Sequence, residues 1–339
     1  MKAVRFLGNG VSEVANVPDP IRREGEILIK VMASAVCGSE NSSYFADPAT
    51  YAESTGYKIP GHEMSGEIVD AGKSDGLKNG DRVVVQIMNG CGHCRYCNDG
   101  TYQFCTALEY MGGTHAQYVS FPEKCVVKAP DDIPYDMLVL LGGDTVGVAN
   151  RAAKQLALSK GKMVFVSGAG PIGLGMTALL SHLGCRVVIS EPSAYRREHV
   201  QKNTGVYLVL DPGAVDLERE LFNLMDGIGP EITVECSGNP AAQLDALRLT
   251  RCRGTVMFCG ENYKSLEIVP SVHIIHKELT VKGAFYFTAA DFAEIVAMYR
   301  EGLDVSALVS HIVPMDAAPG AIADFSKGLT GKVIIHPQE

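Results

Sequence analysis

The chain has 339 residues, 46% of them hydrophobic, which is enough to form a core in each of two domains. Its 30 basic and 39 acidic residues give a net charge of −9, which argues against a nucleic acid partner. The N-terminal MKAVRFLGNG lacks a signal-peptide pattern and no segment has the apolar length of a membrane span, so we expect a cytoplasmic protein without membrane contact, whose ten cysteines bind metal or are buried rather than form disulfides.

The first part of the chain, to about residue 130, has the pattern of an all-β unit. Short runs of apolar and β-branched residues are separated by Gly, Pro, Asn and Asp, which is typical of strands joined by turns. The predicted strands in this part are 26–32, 66–70, 82–86 and 116–119.

Two short motifs in this part contain candidate metal ligands. Cys37 lies in AVCGSENSSY, and His62 and Glu63 lie in IPGHEMSGEIV, both near predicted strand ends where side chains can project into a cleft. A thiolate and an imidazole are two of the three protein ligands of a catalytic zinc site, whose fourth position takes water or substrate. Each residue alone is more typical of an ordinary buried cysteine or a hydrogen-bonding histidine.

Four further cysteines follow within one loop. Cys91, Cys94, Cys97 and Cys105 have the spacing C-x2-C-x2-C-x7-C. Four thiolates so close in sequence can surround one tetrahedral ion and leave no open position, so we predict a structural zinc in a lobe at about 88–108. An iron–sulfur cluster is the alternative, although the spacing differs from the common cluster motifs. We do not expect His93, in the same loop, to be a ligand.

From about residue 136 the pattern changes to alternating strands and helices. The predicted strands are 164–167, 186–190, 207–210, 232–235, 255–259 and 279–282. This alternation indicates an α/β fold with a parallel, doubly wound sheet. A helical stretch at 290–300 and a short apolar strand at 332–336 follow.

The stretch 164–191 organises this second part of the chain. Its motif G-x-G-x-x-G contains the predicted cofactor-binding residues Gly168, Gly170, Pro171, Ile172 and Gly173. The three glycines permit a tight turn, a close approach of the backbone to a pyrophosphate, and close packing of the following helix. Free N–H groups at the start of that helix can then bind the phosphates.

The identity of the dinucleotide depends on the residue that ends the next strand. Glu191 lies 18 residues after Gly173, where a carboxylate can accept hydrogen bonds from an adenosine ribose. A carboxylate there repels a 2′-phosphate and favours NAD. Arg196 and Arg197 follow closely and could accept that phosphate, so NADP stays open.

These patterns predict a first domain of residues 1–148 and 284–339, interrupted by a Rossmann dinucleotide-binding domain of residues 149–283. In such an arrangement we expect the active site in the cleft between the two domains.

Together the motifs resemble those of the zinc-dependent medium-chain dehydrogenases, in the branch of sorbitol, threonine and related polyol dehydrogenases. The matching motifs are VCGS at 36–39, GHE at 61–63, the four-cysteine lobe, GAGPIG at 168–173, ECSG at 235–238 and KELTVKG at 277–283. These motifs serve different functions, such as metal binding and dinucleotide binding. They occur in the family's order and cover essentially the whole chain. The resemblance implies a GroES-like catalytic domain in two segments and a Rossmann domain.

The family's roles transfer to particular positions. Cys37 and His62 match two ligands of the catalytic zinc, and Glu63 matches the acid beside the histidine, which can approach the metal. Ser39 matches the hydroxyl that passes the substrate proton onward, and Cys236, in ECSG, matches a cofactor-binding position.

The third ligand is where this sequence departs from the family. Relatives place a cysteine or a glutamate in the segment that here reads LLGGDTVGVANRA, but Gly143 stands at the cysteine position and Asp144 at the glutamate position. Aspartate is an acceptable zinc ligand with a shorter reach. Direct coordination by Asp144, contact through water, replacement by Glu63 and loss of the catalytic zinc all stay open at this point.

A second departure concerns the exit of the proton. Many polyol dehydrogenases have a histidine five residues after the zinc cysteine, where this chain has Ser42. The relay could run from Ser39 through the ribose to water, or through Ser42 or Glu40. Glu40 replaces the family's usual aspartate and could instead support His62 by fixing its tautomer.

The resemblance implies an oxidoreductase acting on a CH–OH group, in which zinc polarises the oxygen of a polyol, sugar or cyclitol type of secondary alcohol and NAD(P) takes the hydride. The alternatives are a zinc-independent carbonyl or quinone reductase that uses NADPH, and a non-catalytic redox sensor that binds a dinucleotide. The expected partners are a small-molecule alcohol or ketone and further copies of the chain, as a dimer or tetramer.

Overall fold

The structure, a computed structural model, describes residues 1–51 and 57–339. The strands are β1 Lys2–Gly8, β2 Val11–Asn16, β3 Glu26–Ala35, β4 Glu63–Asp70, β5 Arg82–Val85, β6 Met88–Asn89, β7 Glu109–Tyr110, β8 Tyr118–Pro122, β9 Val126–Lys128, β10 Met163–Ser167, β11 Arg186–Ser190, β12 Leu208–Leu210, β13 Ile232–Glu235, β14 Thr255–Phe258, β15 Thr280–Gly283, β16 Val309–Pro314 and β17 Lys332–His336. The α-helices are α1 Asn41–Tyr44, α2 Arg95–Asn98, α3 Tyr135–Leu141, α4 Asp144–Ala153, α5 Pro171–His182, α6 Ala194–Asn203, α7 Leu217–Leu224, α8 Pro240–Leu249, α9 Pro270–His273, α10 Ala289–Arg300 and α11 Ala318–Ser326. Short 3₁₀ helices lie at Gly38–Glu40, Pro48–Tyr51, Tyr102–Phe104, Glu123–Cys125, Ile275–Lys277, Ser306–Leu308 and Met315–Ala317. Within the described ranges, no helix combines the length and the apolar character needed to cross a bilayer.

The described residues fall into two units. The first comprises Met1–Asp144, Thr288–Glu294 and Val309–Glu339, and the second comprises Thr145–Phe287 and Ile295–Leu308. The predicted domains, 1–148 with 284–339 and 149–283, differ from these units at residues 145–148, 284–287 and 295–308.

Packing inside the second unit accounts for those differences. A Cβ atom at Gly147 would lie 2.4 Å from the ring of Phe287, so α4 and this ring are in close contact. The amide of Ala284 donates to the last carbonyl of β14 at 3.0 Å, which extends the strand pairing beyond β15. Nε2 of His199 lies 3.3 Å from the carbonyl oxygen of the buried Leu308, which attaches the 295–308 segment to α6.

The main sheet of the first unit determines which loops meet at its end. Its order is β16-β17-β3-β4-β5-β9, and β8 also pairs with β3. Alternate residues of β3 are buried, as expected for a strand with one face on a core. The antiparallel registers pair Ala35 with Glu63 of β4 and with Ile334 of β17. The segments that follow β3, precede β4 and begin β17 therefore lie side by side.

The second unit contains a six-stranded parallel sheet in the order β12-β11-β10-β13-β14-β15. With its six strands numbered in chain order, this sheet has the Rossmann order 3-2-1-4-5-6. Buried side chains of three strands and two helices form a core on one face: Phe165, Val188, Leu210, Leu221, Met225 and Leu249. The prediction of an α/β fold with a doubly wound parallel sheet is confirmed.

One predicted strand is displaced for a clear reason. The strand predicted at 116–119 is observed as β8, Tyr118–Pro122. Ala116 instead forms a bridge with Ala3 of β1, and the amide of Gln117 donates to the carbonyl of Lys2. The chain therefore pairs first with β1 and only then with β3, a change of partner that local residue preferences do not report.

Candidate metal centres and dinucleotide site

Three separate segments of the first unit bring four potential metal ligands together. Cys37 follows β3, His62 and Glu63 lie at the start of β4, and Asp144 is the first residue of α4. One donor atom from each of these four residues lies within 4.8 Å of every other. Cys37, Glu63 and Asp144 are buried and His62 is nearly so. We call this set the dispersed cluster.

The distances in the dispersed cluster fit a zinc ion. Oδ2 of Asp144 lies 3.5 Å from Sγ of Cys37 and 3.1 Å from Nε2 of His62. Around a tetrahedral zinc the corresponding edges are about 3.6 Å and about 3.4 Å. Within the described part of the chain, the buried Oδ1 of Asp144 has no hydrogen-bond partner. A thiolate, an imidazole and a carboxylate with this spacing can hold zinc and leave a fourth position open.

The electrostatics of these donors favour a bound cation. Burial raises the pKa of the Cys37 thiol. Burial acts to lower the pKa of His62, but the facing Cys37 and Asp144 groups raise it well above its usual value. Burial acts to raise the pKa of Asp144, but the hydrogen bond and charge of His62 hold it below its usual value. These buried groups share protons that a divalent cation would displace when it binds.

Glu63 is paired with a buried lysine. Nζ of Lys332 lies 2.6 Å from Oε2 of Glu63, and the two side chains are 0% and 1% exposed. Burial acts to lower the pKa of Lys332, but the Glu63 carboxylate outweighs it and raises the pKa above its usual value. A Cβ atom at Gly143 would lie 2.9 Å from the same Glu63 oxygen, so this carboxylate is enclosed on that side as well. The pairing favours Asp144 over Glu63 as the third donor.

Two exposed hydroxyl groups lie beside the dispersed cluster. Oγ of Ser39 lies 3.5 Å from Sγ of Cys37. Oγ of Ser42 donates to the carbonyl of Ser39 at 2.9 Å. Both residues are exposed, so the Ser39 hydroxyl has the donors on one side and solvent within reach.

Glu40 is buried behind His62 rather than exposed with the serines. Its Oε1 lies 3.5 Å from Nδ1 of His62, and its Oε2 lies 3.1 Å from Nε2 of His115. The sequence motifs do not single out His115, which stands in GGTHAQYV without any ligand spacing. Only the fold brings position 115 to position 40.

The second donor set is the four-cysteine lobe, which the short pair β6–β7 closes. One sulfur from each of Cys91, Cys94, Cys97 and Cys105 lies within 4.8 Å of the others. Sγ of Cys97 lies 3.6 Å from that of Cys94 and 4.0 Å from that of Cys91. Four sulfurs around zinc have edges of about 3.8 Å. Nδ1 of His93 contacts the carbonyl of Cys91 at 3.1 Å rather than this sulfur cluster.

Backbone amides already stabilise a thiolate in this lobe. The amides of His93 and Cys94 lower the pKa of Cys91 to about 6. The sulfur of Cys105 accepts from the amides of Cys91 at 3.3 Å and Ala107 at 3.4 Å. Because the thiolate is the form that binds metal, these amides prepare the loop for an ion.

In the second unit, the glycine motif forms a tight turn between β10 and α5. Gly168 has a φ of +92°, in the left-handed region that favours glycine. A Cβ atom at Gly173 would lie 1.8 Å from the carbonyl oxygen of Gly168 and 3.5 Å from Cβ of Cys236. Only glycine at 173 therefore lets α5 approach the strand, and Cys236 lies directly against this turn.

The N-terminus of α5 is open on the side where a phosphate would bind. Gly170 caps the helix without a side-chain bond, and a Cβ atom there would meet only Nη1 of Arg196, at 3.8 Å. Pro171 has no N–H group, and the N–H groups of Ile172 and Gly173 precede the first intrahelical bond. These groups can bind a pyrophosphate.

Glu191 lies at the end of β11, beside the same turn. Its Oε2 accepts from the amide of Ala169 at 2.7 Å, and its Oε1 accepts from the amide of Ser193 at 2.8 Å. Arg197 forms an ion pair with Asp211 at 2.8 Å. The carboxylate is thus fixed next to the turn, and Arg197 is engaged by Asp211 and by the carbonyls of Glu191 and Pro192.

Comparisons with known proteins identify the family and several similar proteins. The family model described as "Alcohol dehydrogenase GroES-like domain" matches residues 23–131, and the one described as "Zinc-binding dehydrogenase" matches residues 171–301. The chain is 31% identical to the L-galactonate-5-dehydrogenase of Escherichia coli (strain K12), over 87% of this chain and 86% of that protein. It is 32% identical to the L-threonine 3-dehydrogenase of Pyrococcus furiosus, over 95% and 94% of the two chains. The crystal structure of the 2R,3R-butanediol dehydrogenase of Bacillus subtilis is similar with a TM-score of 0.84 and 26% identity, over 99% of both chains.

Proposed function

The chain belongs to the zinc-dependent medium-chain dehydrogenase family, and from this premise we propose that it transfers a hydride between NAD and a secondary alcohol of the polyol, sugar or cyclitol type, or the matching ketone. The similar proteins are named for L-galactonate, L-threonine and 2R,3R-butanediol. Each of these compounds has a secondary hydroxyl beside another polar substituent, which supports a hydroxyl-rich substrate.

One observation supports the catalytic role above all others: Cys37, His62 and Asp144 converge although they lie far apart in sequence. Their donor atoms have zinc spacing, and an orphaned carboxylate oxygen lies among them. A purely structural site would surround its ion with four protein ligands, as the lobe does. Three donors suit a site that leaves one position for a substrate oxygen.

The bound zinc supplies a Lewis acid that polarises the substrate oxygen. In this proposal Cys37, His62 and Asp144 hold that ion. Ser39 accepts the hydroxyl proton, because it lies beside Cys37 and is exposed, so the proton can leave to water. Lys332 neutralises the Glu63 carboxylate by pairing with its Oε2.

The bound dinucleotide supplies the carbon that accepts or donates the hydride. The turn at 168–173 would hold its pyrophosphate at the N-terminus of α5, with Cys236 packed behind the turn. The Glu191 carboxylate would face the ribose and repel a 2′-phosphate. Arg197 is paired with Asp211 and is therefore engaged already, which supports NAD over NADP.

Metal analysis combined with a substrate screen tests the proposed function. We expect two zinc ions per chain and NAD-dependent absorbance changes with several polyols or sugar alcohols, and weaker changes with NADP. Activity in an enzyme that carries one zinc per chain would identify the zinc-independent reductase instead. Two zincs and dinucleotide binding without turnover on any alcohol or ketone would identify the redox sensor.

We further propose that the protein is a homo-oligomer that joins at the edge of the parallel sheet. β15 is the last strand of that sheet and its residues are mostly exposed. Large apolar side chains near it are also exposed, among them Val272, Ile275 and Val281. An exposed apolar edge strand favours pairing with another copy. Light scattering of the wild type and of Val281→Lys tests this proposal: the wild type should be a dimer or tetramer and the variant a smaller species.

A cytoplasmic location belongs to the same proposal. All ten cysteines are free thiols, from the buried Cys37 to the exposed Cys252. Thiols in these numbers persist in a reducing compartment. Fractionation of cells that express the protein should recover it with the cytoplasmic enzymes.

A further inference from the structure

A chain of buried polar groups leads away from the dispersed cluster on the side opposite the donors. It starts at Nδ1 of His62, which lies 3.5 Å from Oε1 of Glu40. Oε2 of Glu40 lies 3.1 Å from Nε2 of His115, and Nδ1 of His115 lies 2.6 Å from Oγ of Ser34. His115 and Ser34 are 0% exposed, so water does not compete for these contacts.

These polar contacts also reach the backbone next to His62. Oγ of Ser34 donates to the carbonyl of Glu63 at 3.1 Å. The residue before His62 also packs against His115, because a Cβ atom at Gly61 would lie 2.6 Å from Nδ1 of His115. The amide of His115 donates to the carbonyl of Pro60 at 3.1 Å. His115 thus contacts the backbone next to His62 and, through Glu40, its ring.

The hydrogen-bond roles of the two histidines follow from the chemistry of the Glu40 carboxylate between them. A carboxylate only accepts hydrogen bonds, so both imidazole nitrogens that face Glu40 carry protons. When a metal binds, His62 must offer it an unprotonated Nε2, which leaves the ring proton on Nδ1, the nitrogen that faces Glu40.

His115 is needed because the residue between the two histidines is a glutamate. A glutamate has one more rotatable bond than an aspartate, so ordering its side chain costs more conformational entropy. The contact with His62 is long, at 3.5 Å, and so is the one from the amide of Cys37 to Oε1, at 3.4 Å. The contact with His115 is the shortest of the three and anchors the other oxygen. Without it, the carboxylate would not be held beside His62.

We propose that His115 is a positioning residue for the catalytic metal, which acts through Glu40 to hold the His62 ring in the orientation and tautomer that present Nε2 to the ion. This inference rests on the proposed function, because it presupposes a metal in the dispersed cluster. Partners of a ligating histidine change metal affinity about 10- to 100-fold when they are removed.

Zinc competition against a chromophoric chelator tests the proposal with the full-length protein. The lobe zinc serves as an internal reference, because no contact links its cysteines to His115 among the described residues. We expect His115→Phe to weaken the dispersed-cluster zinc about 10- to 100-fold and to leave the lobe zinc unchanged. His115→Gln, whose amide can still donate to Glu40, should restore most of the affinity.

A double-mutant cycle with Glu40→Gln separates positioning from general packing. If His115 acts through Glu40, then His115→Phe should add less than about 2-fold in the Glu40→Gln background. Additive losses, an unchanged affinity in His115→Phe, or equal loss of both zincs would overturn the proposal while the proposed function stands. If His115→Phe does not fold, His115→Ala, which also cannot donate to Glu40, takes its place in the same cycle. A wild-type chain that binds only the lobe zinc would instead contradict the proposed function itself.

Discussion

The two donor clusters of the first unit differ in how the chain builds them. The lobe takes its four sulfurs from one loop, whereas the dispersed cluster takes its donors from segments at 37, 62–63 and 144. Around the lobe, backbone amides contact the sulfurs, while buried charged side chains surround the dispersed cluster. A cluster that is local in sequence can use the metal to hold the loop. A cluster assembled by a sheet has its ligands held by the fold, so one position can stay open for chemistry.

The largest effect should follow from removing one sulfur of the lobe. Cys97→Ser takes away the sulfur that lies closest to two others, so the lobe should lose its zinc. Structural zinc binding in small peptides is worth about 10–16 kcal/mol, which is also the energy that folds them. We expect rapid proteolysis within 88–108, measured by mass spectrometry of the fragments. His93→Ala, in the same loop, should resist the protease like the wild type, and two zincs in a protease-resistant Cys97→Ser protein would show that the lobe does not depend on its metal.

Removing one donor of the dispersed cluster should instead reduce activity and leave stability almost unchanged. Cys37→Ser should reduce kcat/KM more than about 1000-fold, because the Lewis acid is lost, while the melting temperature and the dinucleotide affinity stay close to wild type. Steady-state kinetics, thermal unfolding and cofactor titration measure the three quantities. Ser42→Ala, which removes a hydroxyl that donates to the carbonyl of Ser39, is the matched control and should keep its activity. Full activity of Cys37→Ser would contradict the zinc mechanism.

A third experiment asks whether the dispersed cluster is held by the fold, as the comparison implies. Lys332→Met leaves the buried Glu63 carboxylate without its partner, which costs about 3–5 kcal/mol of unfolding free energy. Urea unfolding measures this loss. The double variant Lys332→Met, Glu63→Gln removes both charges and should recover most of the stability. If the single variant is as stable as the wild type, the ion pair does not support the site.

The smallest effect concerns the other end of the same strand, β17. Nε2 of His336 lies 2.7 Å from Oδ1 of Asp136 at the start of α3. Burial acts to lower the pKa of His336, but Asp136 and then Glu339 raise it above its usual value. A raised pKa in the folded state gives stability that is full below the unfolded value of about 6.5 and is lost as pH rises through the folded value.

For a pair that solvent still reaches, this contribution should stay below about 1 kcal/mol. Unfolding free energies of the wild type and His336→Gln, measured from pH 5 to pH 9, should therefore differ most at the acidic end and converge above neutral pH. A difference that grows with pH would have the wrong sign for this contact.

Features built by residues close together in the sequence agree best between sequence and structure. The family, the α/β fold, the oxidoreductase class acting on CH–OH groups, and zinc and NAD(P) as cofactors were all predicted, and these predictions are confirmed at the level of the family. They rest on motifs of a few residues, such as the lobe cysteines and the glycine turn, whose spacing already restricts the chemistry. The substrate, the preference for NAD and the oligomeric state remain predictions.

Pairing between distant segments accounts for what the sequence did not settle. Lys332, whose pairing with Glu63 supports the proposal of Asp144 as third donor, lies 269 residues after Glu63 and meets it through the β3–β17 register. His115 likewise reaches Glu40 only because its segment packs on Gly61. The 295–308 segment lies in the second unit because its side chains are buried there, not because of its own pattern.

By itself the sequence determined the class of enzyme, the closed lobe and the phosphate-binding turn, because each is made by neighbours in the chain whose spacing sets the geometry. Only strand pairing and packing show which lysine neutralises the buried Glu63 and which histidine contacts Glu40 behind His62. The physical reason is that a buried charge must find its partner in space, and strand pairing can bring that partner from any point of the chain.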